Sequence, residues 1–301
     1  MGREVYISVG YLGFLVVVWG GNYTWVKIAV RDIGPLWFNG LRFGLAALVF
    51  AFIALALRRG AILLPARGER LRLAVIGLLQ AGLLTALTAL AMRWIEASRV
   101  VLIAYSVPIW ALFWGMLILG ERPTAMGLLG AGLGIAGLVI LTDPSGMSWH
   151  ANTLPGMLAA FVGVLGWGLG AVLYKRWTWQ SPFWSQVFWQ MFATASAMLL
   201  LAPLLEPIGE VTWSAEMLTV ALYNAFVPLL LGFFCWMQAL SRISAHAAGQ
   251  ILILAPIYGV FQSHLVLGEP LSKGLLLACA FVIAGAVLTL RGQAARREVT
   301  R

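Results

Sequence analysis

The chain reads as an all-α integral membrane protein with ten transmembrane helices arranged as two inverted five-helix repeats, and three observations predict it. Of its 301 residues 61% are hydrophobic and only 10% are charged, against about 45–50% and about 25% in soluble domains. Apolar runs long enough to span a bilayer recur along the whole chain with short connections. The stretch LILGERPTAMG at 117–127 returns as LVLGEPLSKG at 265–274. Setting Glu121 on Glu269 gives an offset of 148, which also sets Pro108 on Pro256, Gly137 on Gly285, Lys27 on Lys175 and Trp19-Gly20 on Trp167-Gly168. Collinear matches at one offset indicate duplication of a unit half the chain long, 1–148 followed by 149–301.

The first run, 5–27, follows "MGREVY" directly and is long enough to stay in the bilayer as a retained helix. Run 35–57 carries Arg42, the one basic residue inside a span, and 70–91 carries Gln80 and Thr88. Run 98–119 is interrupted by Pro108, and 124–142 follows Pro123, a residue suited to a first helical turn. The second unit repeats the scheme at 153–174, 183–204, 215–239 with Pro228, 245–267 with Pro256, and 271–290 after Pro270. Glu121 and Glu269 then stand at helix N-termini, where a carboxylate accepts backbone N–H groups of the following helix.

Lys and Arg favour cytoplasmic loops. With the N-terminus inside, the inner segments hold fourteen of them and the outer segments five, while Glu206, Glu210 and Glu216 crowd one outer loop. Both termini are therefore expected in the cytoplasm, and the net charge of +9 is the sum of this bias, not a nucleic-acid surface. Five helices per unit is an odd number, so the second unit enters the membrane upside down. Inverted repeats of this kind are the architecture of secondary transporters, which bind solute near the midplane between the halves.

The search for catalytic chemistry is negative. No G-x-x-x-x-G-K-[ST] occurs, and the G-x-G-x-x-G at Gly132, Gly134 and Gly137 lies inside an apolar run with no strand before it. Glycines four apart, Gly130 with Gly134 and Gly166 with Gly170, instead let helix backbones approach closely. His150, His246 and His264 are dispersed without metal-ligand spacing, and Cys235 and Cys279 lie within spans as small apolar residues. No convergent acid, base, nucleophile or metal set suggests an enzyme, and no cofactor is implied. All eleven acids fall in loops or at helix ends. Because membrane carboxylates are the usual proton relays, facilitated efflux is expected, with His246 or a helix-end Glu as residual proton carriers. Arg42 is expected to snorkel toward the outer surface, in preference to pairing with a solute carboxylate.

Polar and aromatic residues remain for a solute. Trp19, Asn22 and Tyr23 share one face of the first helix, and Trp167 and Tyr174 take the corresponding face of the sixth. Gln80 and Asn224 add neutral dipoles. Pro228 frees the Asn224 carbonyl, while Pro108 and Pro256 free those of Ala104 and Leu252, beside Tyr105, Trp110, Gln250 and Tyr258. Trp236 joins the central tryptophans, which suit a solute with an apolar or aromatic side chain. Asn22, Gln80, Asn224 and Gln250 would hold the backbone of an amino acid and the aromatic residues its side chain.

The stretches FLVVVWGGNYTWVK, SVPIWALFWGMLILGERPT, VGVLGWGLGAVLYKR and LAPIYGVFQSHLVLGEPLS resemble the drug/metabolite transporter superfamily, within it the ten-helix EamA exporters. The resemblance covers all ten helices. It implies a central cavity lined by helices 1, 3, 4, 6, 8 and 9, with 5 and 10 peripheral. It also implies export of amino acids or related metabolites across a bacterial-type inner membrane, most closely as in the aromatic amino-acid exporters. Anionic sugars or sugar phosphates, also carried within the superfamily, are the alternative and would need several basic residues facing the cavity. The partners are then a small solute and lipid, the chain acting as a monomer or homodimer. On this topology, tags on either terminus are reachable only from the cytoplasmic side in intact cells; labelling of a terminus from outside would overturn the assignment.

Overall fold

Hydrocarbon offers no water to backbone N–H and C=O groups, so a spanning segment must satisfy them internally. The computed structural model describes residues 3–141, 152–242, 248 and 251–299, and each of the ten apolar runs contains a helix. These are α1 (Arg3–Ala29), α2 (Pro35–Ala56), α3 (70–91), α4 (Ala97–Leu119), α5 (Ala125–Ile140), α6 (Thr153–Arg176), α7 (Phe183–Leu205), α8 (Ala215–Leu240), α9 (Leu254–Leu267) and α10 (Lys273–Val299). Eight are long and apolar enough to cross a membrane, and α5 and α9 are shorter apolar helices. No strand occurs among the described residues. Leu48, Phe52, Val139, Leu204 and Leu265 are each more than three-fifths exposed, an apolar exterior that suits lipid and not water. Gln250 and His246 lie outside the described residues.

Several helices are irregular where the sequence places proline, and one where it does not. In α8 the turn Ala225–Leu231 around Pro228 widens into a π-helix. α3 holds a π turn at Leu78–Leu83 with no proline inside it. α4 breaks at Tyr105 and Ser106, just ahead of Pro108. α4 and α9 both end on a glycine with positive φ, 63° at Gly120 and 70° at Gly268, where the missing Cβ lets the chain turn out of the helix.

The helix starts correct one expectation. The carboxylates of Glu121 and Glu269 do not cap the helices that follow them. Thr124 Oγ1 accepts from the Gly127 N–H at 3.1 Å to cap α5, and Ser272 Oγ accepts from the Leu275 N–H at 3.1 Å to cap α10. A hydroxyl placed three residues before the orphan N–H satisfies it locally, which leaves the two carboxylates free to reach other helices.

Packing follows a pattern of exchange. α1 lies against α8 and α9, and α6 lies against α3 and α4; α2 packs on α7, and α5 on α10. Glycine sets the closest approaches. A Cβ on Gly20 of α1 would stand 2.3 Å from the Ala255 carbonyl oxygen of α9, and one on Gly168 of α6 would stand 3.1 Å from the Trp110 and Ala111 backbone of α4. At the α5–α10 crossing Gly130, Gly134 and Gly285 meet backbone to backbone, so the G-x-G-x-x-G stretch is a helix-packing surface, as its place in an apolar run suggests. Gly132, with open space around it, points away from that crossing.

Gly285→Leu forces a side chain into the Gly134 backbone, 2.5 Å from where its Cβ would begin. Melting of the purified protein, followed by tryptophan fluorescence, should show a loss of about 3 kcal/mol or more. Gly132→Ala should leave the midpoint unchanged, and equal effects from the two would contradict this packing.

Candidate functional site

The polar face of α1 is the centre of the candidate site. The indole Nε1 of Trp19 donates to the Pro228 carbonyl at 3.0 Å, so the acceptor put to use by the widened turn of α8 is the proline's own oxygen. Trp19 lies 6.2 Å from the Phe233 ring and 6.0 Å from Trp236, which brings two of the expected tryptophans together. The carbonyl oxygen of the Asn22 side chain is buried and has no hydrogen-bond partner among the described residues. Tyr23 and Tyr105 pack against one apolar cluster. The Tyr258 ring and the buried Gln262 amide fill the space that Gly21 leaves by lacking a side chain.

A second group forms where α4 and α3 meet α6. Trp110 donates to the Ser106 hydroxyl at 3.0 Å, meets Phe161 edge to face at 4.7 Å and covers Gly168. Trp167 and Tyr105 pack on the same apolar cluster as Trp110. Gln80, inside the π turn of α3, lies over Gly170 of α6. Tyr174 stands apart from both groups. Its hydroxyl donates to the Gln186 side-chain oxygen at 2.5 Å and its ring stacks on Trp179 at 5.2 Å, which draws it to the α6–α7 connection.

Two residues behave differently from their sequence-based expectation. Arg42 does not snorkel: it is 4% exposed, and its Nη1 donates to Asn224 Oδ1 at 2.7 Å between the rings of Phe38 and Phe43. Asn224 is correspondingly not a free dipole, since its amide nitrogen also donates to the Val220 carbonyl at 3.1 Å. An asparagine oxygen on the facing helix meets the guanidinium within the bundle, and that partner decides its course. Placing Arg42 from sequence required knowing that α2 meets α8 at this level.

Two ion pairs join the halves of the chain, and the repeat offset relates one to the other. Lys27 of α1 pairs with Glu269 at 3.1 Å and also donates to the Ile95 carbonyl at 2.8 Å. Glu269, only 7% exposed, accepts the backbone N–H groups of Ala97 at 2.7 Å and Ser98 at 2.9 Å, so it caps α4. Burial pushes the Glu269 carboxyl up, but the Lys27 charge and the hydrogen bonds from Ser98 and Ala97 outweigh it and hold the group below its ordinary range. The related pair, Lys175 with Glu121, is much more open, its lysine 53% exposed. The sequence showed both lysines and both glutamates at matching positions and gave no sign that they would pair across the halves.

A bundle of apolar-faced helices with neutral polar and aromatic side chains gathered between them is a membrane-embedded carrier of small solutes. The chain belongs to the EamA-like transporter family, whose sequence profile matches twice, over 8–143 and 154–291. It is a multi-pass membrane transporter and not an enzyme. A probable amino-acid metabolite efflux pump of Salmonella typhimurium is 27% identical over 297 residues, 96% of each chain. The uncharacterized transporter YoaV of Bacillus subtilis is 24% identical over 274 residues, 90% of this chain and 92% of its own. The uncharacterized inner membrane transporter YedA of Escherichia coli is 25% identical over 294 residues, 97% and 93%. A solved crystal structure shares the fold with a TM-score of 0.65 at 21% identity, covering 96% of this chain and 98% of the other.

The two carboxylates should differ sharply in what they stabilise. A group held below its ordinary pKa stabilises the fold above the usual carboxylate range, and the stabilisation is lost as pH falls through the folded value. Glu269→Gln should therefore lower stability at pH 7 by about 2–3 kcal/mol, the scale of charged hydrogen bonds in a buried setting. It should also lessen the acid-side loss of stability expected as pH falls below the ordinary carboxylate range. Glu121→Gln, at the exposed pair, should cost about 1 kcal/mol or less. Melting curves from pH 3.5 to 7 check both, and equal losses would contradict the asymmetry.

Proposed function

We propose that the protein exports bulky neutral amino acids or related metabolites across the inner membrane. It works by alternating access of two inverted five-helix units, 1–148 and 149–301, with both termini cytoplasmic. The observation that carries this reading is the α1 face, where Trp19 and Tyr23 flank Asn22, whose buried oxygen has no partner among the described residues. A buried acceptor left unmet is costly unless a ligand meets it, and an ammonium group is the donor an amino acid brings. The name of the Salmonella relative, an amino-acid metabolite efflux pump, agrees with this solute class, as does that of a 24% identical Escherichia coli relative bearing the same name.

Alternation is supported by the exchange of helix contacts between the halves and by the unequal ion pairs. The Lys27–Glu269 pair is enclosed against the start of α4, while the Lys175–Glu121 pair is exposed, so the two junctions between the halves differ in strength. Passage of the solute exchanges the two conditions. Transport is downhill in this reading, because no carboxylate is buried at mid-span among the described residues. Sugar phosphates are disfavoured: Arg42 is the one cation buried inside a span without an acid beside it among the described residues, and a phosphate dianion calls for several.

Counterflow into liposomes holding the purified protein, screened with the common amino acids, tests the reading. Efflux of bulky neutral amino acids is expected, with Trp19→Ala and Asn22→Ala each reducing it about tenfold or more, the worth of one well-made polar or aromatic contact. Exposed Trp213→Ala should change nothing. Transport confined to phosphorylated sugars would overturn the proposal in favour of the anionic alternative.

A further inference from the structure

We infer that Arg42, held in place by Asn224, is the group that binds the carboxylate of the transported solute. The inference deepens the export reading and rests on it, and it makes a single carboxylate a requirement for transport instead of leaving the solute to neutral dipoles alone.

Arg42 is a buried charge without a counter-charge among the described residues: it is 4% exposed about two turns into α2, and no carboxylate pairs with it there. Its Nη1 is engaged by Asn224, but its Nε is buried and has no partner. A bond at Nη1 leaves the opposite edge of the guanidinium, Nε with Nη2, which is the fork that grips a carboxylate through two parallel hydrogen bonds. Asn224 cannot turn away to meet another group, because its amide nitrogen is tied to the Val220 carbonyl and the widened turn of α8 begins at the next residue. The faces of Phe38 and Phe43, 5.5 and 5.1 Å from the guanidinium carbon, ease the burial of a cation without neutralising it.

If Arg42 served only to tie α2 to α8, a neutral amide would make the same bond to Asn224 without burying a charge. A solute carboxylate explains the charge and completes the open edge. Tyr23 on α1 stands next in the chain to Asn22 with its unmet oxygen. The unmet oxygen of Asn22 on α1 can accept from an ammonium group, and the unpaired cation of Arg42 on α2 can take a carboxylate.

The test compares solutes that differ only in the carboxylate. In proteoliposome counterflow, the unsubstituted protein should carry L-phenylalanine in preference to phenethylamine by about tenfold or more. Arg42→Gln should bring that ratio near one, and Arg42→Lys should fall between. If both solutes drop together with the ratio kept, or Arg42→Gln leaves the ratio unchanged, Arg42 is a structural tie and the inference fails. If the unsubstituted protein moves no amino acid at all, the export reading fails separately, and a melting-temperature assay decides on the carboxylate site. There 3-phenylpropionate should stabilise the unsubstituted protein while 3-phenylpropanamide does not, and Arg42→Lys should weaken that difference. Equal shifts from acid and amide would overturn the inference even where Arg42→Gln does not fold.

Discussion

The carboxylate of Glu269 is a buried junction at which residues of both halves of the molecule meet. It meets Lys27 from α1 and the first N–H groups of α4, three parts of the chain brought to one buried spot. Two electrostatic requirements are satisfied at once there: the start of α4 needs an acceptor for its orphan donors, and an ammonium at the end of α1 needs a counter-charge. Away from bulk water these attractions are stronger, and leaving either group alone is correspondingly costly. The exposed Lys175–Glu121 pair is what the same chemistry looks like when it is not enclosed.

Between the two ends the helices are held by shape. Where lipid surrounds a bundle there is little hydrophobic gain in bringing helices together, so close backbone approach and polar contacts have to do it. Gly20 against α9, Gly168 against α4 and the glycines of the α5–α10 crossing supply the first, and the Thr24–Ser263 hydroxyl pair at 3.0 Å supplies the second. The irregular turns act differently. The π turn in α8 puts a carbonyl where the Trp19 indole can use it and stations Asn224 immediately before the widened segment. Departures from regular helix in α3, α4 and α8 thus coincide with the positions of Gln80, Tyr105 and Asn224, in keeping with the tendency of such turns to gather at functional sites.

The interior that results is sparing with charge. Most of the polar groups that reach it are amides, hydroxyls and indoles already bonded within the bundle, as with Thr88 to the Leu84 carbonyl at 2.7 Å. The buried exceptions among the described residues are Asn22 Oδ1, Arg42 Nε, Asn39 Oδ1 and the hydroxyls of Ser185, Thr194 and Thr289. Of these groups only Arg42 carries a charge.

Composition and the apolar runs were enough to determine the class of fold, because span length and the need for internal backbone hydrogen bonding leave only helices for such segments. The offset between LILGERPTAMG and LVLGEPLSKG likewise marked Gly120 and Gly268, which turn with similar positive φ, and Pro228, read from its own run, sits in the turn that widens. The polar face of α1 was legible from helical spacing, since residues three and four apart must lie together. Pairings between distant segments were not legible. That Glu269 caps α4 and not α10, that Arg42 turns to Asn224 and not to the surface, and that Tyr174 leaves the site for Gln186 all depend on which helices become neighbours. A charged side chain takes the nearest partner that compensates its desolvation, and the sequence names the candidates while only the tertiary packing sets the distances between them.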